Sequence, residues 1–167
     1  NTGQLGEAVA YSYLPQLSLD SIASLGTTYL QGSQYDAAGR LKQRSFGSSG
    51  LQTSYDYFDW WQGGYLKTLQ SGTTGDPHAL QDLTYTYSDT GNLLSIVDGR
   101  LGQTQSFTYD EMSRLLSAQA SGGGQGQYGL ESYTYDPATG NLASKNGLTY
   151  TYGDAAHAHA VTGLSNG

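Results

Sequence analysis

Residues 35–41 read Tyr-Asp-Ala-Ala-Gly-Arg-Leu, and variants of this heptad recur along the chain, most of them after an aromatic-x-Tyr pair. Residues two apart in a strand point to the same face, so each pair places two rings side by side. Aspartate favours a tight turn, glycine supplies a positive φ, and leucine opens the next apolar stretch. Each copy therefore predicts a β-hairpin.

Four clear copies of the turn begin at tyrosines 35, 87, 109 and 135, and the last has one extra residue. A degenerate copy runs from Tyr57 to Leu66, and Tyr11/Tyr13 is a candidate sixth pair. The residues assigned to the repeat signature are Tyr35, Asp36, Gly39, Arg40, Leu41, Tyr85, Tyr87, Gly91, Leu93, Tyr109, Asp110, Arg114, Leu115, Tyr135, Asp136, Gly140, Leu142, Tyr150 and Tyr152. We expect these residues to have structural roles.

The turn residues carry specific expectations. A positive φ is expected at the turn glycines Gly39, Gly91 and Gly140. Ser113 takes the glycine place in the third clear copy, where a positive φ would cost energy. Arg40 and Arg114 are expected to pair with turn aspartates or to cover neighbouring rings.

The composition excludes several classes of protein. The 167 residues include 24 glycines, 15 tyrosines and no cysteine, and the net charge is −7 with only seven Lys and Arg. An acidic chain with few cations is a poor nucleic-acid binder, so no nucleic-acid partner is expected. No apolar run approaches the ~20 residues of a membrane helix. Without cysteine there are no disulfides, thiolate metal sites or cysteine nucleophiles.

The heptad at 35–41, its variants after 87, 109 and 135, and the final stretch 152–162 resemble the RHS/YD-repeat family. The resemblance implies an all-β fold of stacked antiparallel β-hairpins that forms a curved YD-repeat sheet ribbon, a segment of an RHS shell. In bacterial RHS toxins and insecticidal toxin complexes such shells enclose a C-terminal toxic polypeptide. In teneurins the shell serves extracellular adhesion, and carbohydrate binding has been proposed for these repeats.

From this resemblance we expect residues 1–167 to form a single repeat segment of about five or six units within a larger chain. Its function would be structural and non-catalytic, and the alternative is an adhesion or carbohydrate-binding module. The expected partners are neighbouring repeats of the parent chain, with an encapsulated toxin polypeptide or carbohydrate as further candidates. Self-association through open sheet edges is also expected. The parent would be secreted or located at the cell surface.

Three regions leave alternatives open. Trp60, Trp61 and Tyr65 form a candidate ligand face, because exposed aromatic rings beside polar groups suit sugar rings; alternatively one tryptophan packs the interior and the other covers a hairpin end. His157 and His159 lie two apart in a strand-like stretch and could share a metal, but no third ligand is evident. We expect no catalytic, cofactor or metal residues. Residues 14–25 fit a helix or a strand, and the β-rich remainder favours a strand.

Overall fold

In a computed structural model of the chain, residues 6–166 are described and consist of β-strands joined by turns. The described residues fall into two compact units. The first comprises the chain as far as Tyr85 together with Asp98–Arg100, and the second comprises Thr86–Val97 and the chain from Leu101 onward. The all-β prediction is confirmed. That residues 1–167 form a single repeat segment stays a prediction, and residues 1–5 and 167 lie outside the described part.

The first unit is built from antiparallel strands that pair in chain order, each with the next. The strands are β1 Ala10–Tyr13, β2 Leu19–Ser24, β3 Thr27–Tyr35, β4 Leu41–Phe46, β5 Leu51–Tyr57, β6 Leu66–Thr73 and β7 Gln81–Tyr87, whose last two residues belong to the second unit. Between β5 and β6 lies a short 3₁₀ turn, Trp60–Gln62, which is the only helical element within residues 6–166.

The second unit has the same organisation. Its strands are β8 Leu93–Asp98, which ends in a residue of the first unit, β9 Gln103–Tyr109, β10 Leu115–Gly122, β11 Tyr128–Tyr135, β12 Leu142–Lys145, β13 Leu148–Thr151 and β14 Gly163–Asn166. From β9 to β14 each strand is antiparallel to the next one in the chain. Chain-order pairing of this kind is what a series of hairpins produces.

The hairpins share one register. The tyrosine that precedes each turn lies opposite the leucine that opens the return strand, and a β-bulge beside these two residues leaves one residue of the return strand unpaired. The tyrosine–leucine pairs with an adjacent bulge are Tyr13 with Leu19, Tyr35 with Leu41, Tyr57 with Leu66, Tyr109 with Leu115 and Tyr135 with Leu142. The Tyr11/Tyr13 pair, a candidate copy in the sequence, therefore has the register of the other hairpins.

Very little of the chain is fully buried. Among the described residues, the buried apolar side chains are Leu30, Ala118 and Ala120, and no large side chain is completely enclosed. Most residues of the strands are half-buried. A hairpin of this kind cannot enclose a core by itself, so its stability depends on contacts with the hairpins next to it.

The ambiguous segment 14–25 divides into a turn and a strand. Residues 14–18 turn through a left-handed Leu17 with φ of 64°, and the strand β2 begins at Leu19. The strand interpretation is therefore right for 19–24 but not for 14–18. The backbone N–H groups of Leu14 and Leu17 bond to carbonyls within this turn, which satisfies them without a helix.

Candidate functional site

The repeated turns are stabilised by the residue that directly follows the tyrosine, because its side chain accepts hydrogen bonds from backbone N–H groups of the turn. The Asp36 carboxylate accepts hydrogen bonds from the backbone N–H groups of Ala38 and Arg40, both at 2.9 Å, and Asp110 makes the same two bonds in its own turn. The glycines at the end of these turns have the expected positive φ, 78° at Gly39. Ser113 holds the glycine place with φ of 61°, so it has the left-handed backbone that favours glycine.

Two turns depart from this pattern in an instructive way. In the copy after Tyr87, Ser88 takes the aspartate's place and its Oγ accepts the N–H of Asn92 at 3.1 Å. The aspartate of this copy, Asp89, comes one position later than in the others. In the copy with an extra residue, Asp136 caps the N–H groups of Ala138 and Thr139 instead.

Each turn arginine joins its own turn to the next aromatic pair. Arg40 Nε donates to Asp36 Oδ2 at 2.7 Å, while its guanidinium lies 4.4 Å from the centre of the Tyr57 ring. Its Nη1 also donates to the carbonyl of Gly64 at 2.8 Å. A cation over an aromatic face is attracted by the ring quadrupole. The Arg40 side chain thus contacts the Asp36 carboxylate, the Tyr57 ring and the Gly64 carbonyl at the same time.

Arg114 repeats most of this arrangement in the second unit. Its Nε donates to Asp110 Oδ2 at 2.7 Å, and its guanidinium lies 4.5 Å from the centre of the Tyr135 ring. Both alternatives expected for the turn arginines therefore occur together, in the same side chain.

Where asparagine replaces arginine, the amide makes the link to the next turn. Asn92 Nδ2 donates to Ser113 Oγ at 3.1 Å, and Asn141 Nδ2 donates to the carbonyl of Ala158 at 2.9 Å. Arg40, Asn92 and Asn141 thus share one task, which is to donate a hydrogen bond to a following turn or loop.

The tyrosine that directly precedes a repeated turn makes a hydrogen bond that the sequence did not predict. Its phenol donates to the carbonyl of the leucine that opens the return strand of the hairpin before it. The bonds are Tyr35 to Leu19 at 2.7 Å, Tyr57 to Leu41 at 2.8 Å, Tyr135 to Leu115 at 2.9 Å and Tyr152 to Leu142 at 2.9 Å. Tyr109 is an exception, since no such bond of its hydroxyl is found within residues 6–166. We call these bonds, together with the arginine and asparagine links, the hairpin clamp.

The other signature tyrosines also lie in strands. Tyr85 and Tyr87 are in β7 and Tyr150 is in β13, and all three are half-buried. Tyr133 donates to Glu131 at 2.6 Å, and the Lys145 ammonium lies 5.4 Å from its ring centre. The signature tyrosines are therefore distributed along successive strands and do not converge on one pocket.

The electrostatics of the clamp follow from its geometry. The backbone N–H of Arg40 is the main reason that the pKa of the Asp36 carboxyl is lowered, and the Arg40 side chain adds to the effect. The same groups of Arg114 lower the pKa of Asp110. Burial raises the pKa of the Tyr57 phenol, which keeps it protonated and able to donate. All three shifts favour the protonation states that the clamp requires.

A second repeated contact involves the residue between the two tyrosines. Its hydroxyl bonds to the serine two positions after the hairpin leucine. The pairs are Ser12 with Ser21 at 2.7 Å, Thr86 with Ser95 at 2.7 Å, Thr108 with Ser117 at 2.6 Å and Thr134 with Ser144 at 2.7 Å. Because these residues alternate with the tyrosines, the hydroxyl pairs lie on the opposite side of each hairpin from the aromatic rings. The signal for them, a serine two positions after the leucine in these four hairpins, is visible in the sequence but was missed.

The candidate ligand residues Trp60, Trp61 and Tyr65 lie in or next to the 3₁₀ turn. Trp60 is 82% exposed and Trp61 is 66% exposed, with their ring centres 5.7 Å apart and their planes nearly perpendicular. The interpretation in which one tryptophan packs the interior is therefore wrong. The Asp59 carbonyl accepts the N–H groups of Gln62 and Gly64, which curls the segment so that it is not extended.

Tyr65 is 38% exposed and lies over the turn glycine. A Cβ at Gly63 would come within 2.1 Å of the Tyr65 ring, and Gly63 has φ of 91°. Only glycine fits between the ring and the left-handed backbone. The three aromatic residues thus belong to one short loop, and all three are exposed.

The two C-terminal histidines are separated by the structure. They lie in turns at residues 154–160, so the strand-like placement is wrong. His157 Nδ1 lies 2.8 Å from Asp154 Oδ2, whereas His159 Nδ1 lies 2.6 Å from Asn141 Oδ1. In the part of the chain that the structure describes, no three His, Cys, Asp or Glu side chains are grouped to hold a metal ion.

None of the helices in residues 6–166 has the length and apolar character needed to cross a membrane.

Comparisons with known proteins agree with the repeat geometry. The sequence model of the family described as RHS Repeat matches residues 83–125. A search among curated proteins found no match. In a crystal structure of TcdB2-TccC3-Cdc42, the similar region has a TM-score of 0.68 and 21% identity, and it covers 87% of this chain and 9% of that one.

Two further structures give similar results. TcdB2-TccC3 without the hypervariable C-terminal region has a TM-score of 0.69 and 22% identity, with 87% of this chain and 9% of that chain covered. A Photorhabdus luminescens Tc holotoxin pore with a mutated TccC3 has a TM-score of 0.51 and 15% identity, with 95% and 11% covered. The chain thus corresponds to about a tenth of these chains. The recurring hairpins are a structural repeat segment, in which residues 83–125 match the RHS Repeat family model and the fold is that of the TcdB2-TccC3 structures.

Proposed function

We propose that residues 1–167 are one segment of a longer, secreted or surface-located protein, and that the segment builds a β-sheet shell around a polypeptide toxin without catalysing a reaction itself. The observation that carries this proposal is the hairpin clamp. The polar groups of the signature residues are engaged in joining one hairpin to the next, as Arg40 and Tyr57 illustrate. Side chains that make these contacts stabilise the wall of the shell and are not available to bind a substrate.

The comparisons support the same proposal. The similar structures include TcdB2-TccC3 complexes and a Tc holotoxin pore, so their names connect this fold with toxin assemblies. The sequence resemblance to RHS toxins implies an enclosed C-terminal polypeptide.

The test uses the full-length protein that contains this chain. We expect its C-terminal polypeptide to resist added protease while the folded shell surrounds it. Arg40→Ala combined with Tyr57→Phe should loosen the wall and speed cleavage, whereas Lys42→Ala, an exposed cation in the same hairpin, should not. Equal cleavage of the enclosed polypeptide in the intact protein and after denaturation would contradict the proposal.

A second function is favoured by one observation, the exposure of both tryptophans. In this alternative the loop with Trp60, Trp61 and Tyr65 binds carbohydrate on the surface of an adhesion module. Titration of the chain with a panel of oligosaccharides, followed by tryptophan fluorescence, tests it. Saturable binding that is lost in Trp60→Ala and Trp61→Ala would support the alternative, and an unchanged spectrum across the panel would contradict it.

A further inference from the structure

The turn that begins at Asp136 keeps the capping carboxylate of the repeat but lacks its arginine. In the two turns with arginine, the carboxylate oxygen Oδ2 accepts a hydrogen bond from the arginine Nε at 2.7 Å. Here Asn141 takes the arginine's place, and its amide contacts the Ala158 carbonyl and His159 Nδ1 instead. Asp136 Oδ1 accepts the bonds that cap the turn, whereas within residues 6–166 no hydrogen bond of Oδ2 is found.

The other turn with asparagine has no such excess charge. There Ser88 replaces the aspartate and Asn92 replaces the arginine, so the negative and the positive charge are lost together. Of the four clear copies, the one at Asp136 alone carries the capping carboxylate without an arginine. The backbone N–H and the hydroxyl of Thr139 lower the pKa of the Asp136 carboxyl, which keeps it ionised at neutral pH.

A cavity of about 480 Å³ is lined by the two groups that hold the guanidinium elsewhere in the chain. Arg40 and Arg114 each bond to the carboxylate of their own turn and lie over the ring of the next hairpin's tyrosine, 4.4 and 4.5 Å from its centre. The equivalent carboxylate and ring, Asp136 and Tyr152, both line the cavity. Within residues 6–166 no cation is found over the Tyr152 ring. The cavity therefore has the two contact groups of a clamp without the guanidinium between them.

The charge of the cavity suits a cation. Asp154 lines it together with Asp136, and among the described residues of the lining none is Lys or Arg. Asp154 already has partners, because it accepts the backbone N–H of Ala156 at 2.9 Å and lies 2.8 Å from His157 Nδ1. The uncompensated negative charge is therefore that of Asp136.

One arginine reaches the same turn without lining the cavity. A Cβ on Gly140 would lie 4.0 Å from Arg114 Nη1. The Arg114 Nε, however, is bonded to Asp110, and its guanidinium lies over the Tyr135 ring. A guanidinium that occupies the cavity therefore comes from outside the described hairpins.

We propose that this cavity binds a guanidinium group, the end of an arginine side chain on a partner polypeptide. The guanidinium donates to Asp136 Oδ2 and lies over the Tyr152 ring, as Arg40 and Arg114 do with their own carboxylates and rings. Its planar fork suits a carboxylate beside an aromatic face better than the compact ammonium of lysine does. The inference goes beyond the proposed function and does not depend on it.

Titration of the chain with Nα-acetyl-arginine amide, followed by NMR, tests the site. We expect saturable shifts in the resonances of Asp136 and Tyr152. Nα-acetyl-citrulline amide has the same shape without the charge, and it should bind at least about tenfold more weakly, since it cannot form a hydrogen bond between charged groups. Nα-acetyl-lysine amide should also bind more weakly, because an ammonium lacks the planar fork. These comparisons use the unaltered chain, so they do not depend on how a variant folds.

A pair of variants assigns the binding to the carboxylate. Asp136→Asn keeps an oxygen that can cap the turn but removes the charge, so it should weaken binding of Nα-acetyl-arginine amide by at least about tenfold. The matched control is Asp89→Asn, which removes the charge of an exposed turn aspartate in the same unit and should leave the affinity unchanged.

The outcomes separate cleanly. Saturable shifts at Asp136 and Tyr152 that favour arginine over citrulline and are weakened in Asp136→Asn support the proposal. Equal binding of citrulline, equal affinity in Asp136→Asn, or no saturable shift while the chain stays folded overturns it. Free arginine, whose own carboxylate is repelled by the acidic lining, should bind more weakly than the capped derivative; tighter binding of free arginine would overturn the assignment to a polypeptide.

Discussion

The turn at 36–40 and the loop at 58–65 both connect two paired strands, but they use their side chains in opposite ways. The first turn keeps Asp36 and Arg40 engaged with each other and with the next hairpin. The second leaves Trp60 and Trp61 exposed, with their closest ring contact to each other. The two regions touch, since Arg40 donates to Gly64. The difference separates residues that stabilise the repeat from residues available for another role.

The largest effect is expected at Arg40. Arg40→Ala removes an ion pair, a cation over a ring and a hydrogen bond to a backbone carbonyl. Because the arginine is about one-third exposed, we expect the free energy of unfolding to fall by about 1.5 kcal/mol, the low end for hydrogen bonds of charged groups. Urea unfolding measures the change. Lys42→Ala removes an exposed positive charge from the same hairpin and serves as the control; equal losses in the two variants would contradict the comparison.

A smaller loss is expected when the clamp loses a single hydrogen bond. Tyr57→Phe removes the phenol that donates to Leu41 and keeps the ring beneath Arg40. The free energy of unfolding should fall by about 1 kcal/mol, since the Leu41 carbonyl loses its side-chain donor. The matched variant is Tyr13→Phe, whose phenol is exposed, and it should be close to neutral. If the free energy of unfolding fell equally in both variants, the hydrogen bond from Tyr57 to Leu41 would not stabilise the fold more than an exposed phenol does.

Acid should weaken the turn at 36–40. The pKa of Asp36 is lowered by the Arg40 backbone N–H and side chain, so its ionised form stabilises the folded state. That contribution is complete above the ordinary pKa of 3.8 and is lost as the pH falls through the lowered value. Unfolding measured from pH 5 to pH 2 should show a shallower decline in Asp36→Asn than in the original chain. The same result is expected for Asp110→Asn. If the pH profiles of a variant and of the original chain superimposed, the carboxylate would not contribute to the stability of the folded state.

The smallest effect is expected in the loop. Trp60→Ala should change the free energy of unfolding by less than about 0.5 kcal/mol, because an exposed side chain with few contacts contributes little to stability. Thermal and urea unfolding measure it, with Arg40→Ala as the contrast. A loss above about 1 kcal/mol would mean that the tryptophans stabilise the hairpin after all, and the loop would no longer differ from the turn.

The sequence predicted the hairpins because the residues that form them act locally. Asp36 caps its own turn, and Gly39 adopts its left-handed conformation, within a few residues of chain. The pairing of Arg40 with Asp36 is local as well. These features depend on side chains whose preferences can be read without knowing the neighbours.

The remaining features depend on groups that a sequence pattern does not show. Every residue has a backbone carbonyl, so nothing marks Leu41 as the acceptor for Tyr57 until the register of the strands is known. The curled loop at Trp60 depends on the Asp59 carbonyl and on two left-handed glycines, neither of which the sequence pattern predicted. His159 was assigned to a strand, but it bonds to Asn141 from a turn.

The bulge beside each tyrosine–leucine pair affects how the sequence of such a chain can change during evolution. The turn before Leu142 has one residue more than its relatives, yet Tyr135 still lies opposite Leu142. Each hairpin therefore sets its alignment anew at its own tyrosine and leucine, so a change of loop length in one unit is not transmitted to the next. Insertions and deletions between units can accumulate while the motif persists, which accounts for a constant signature at irregular intervals.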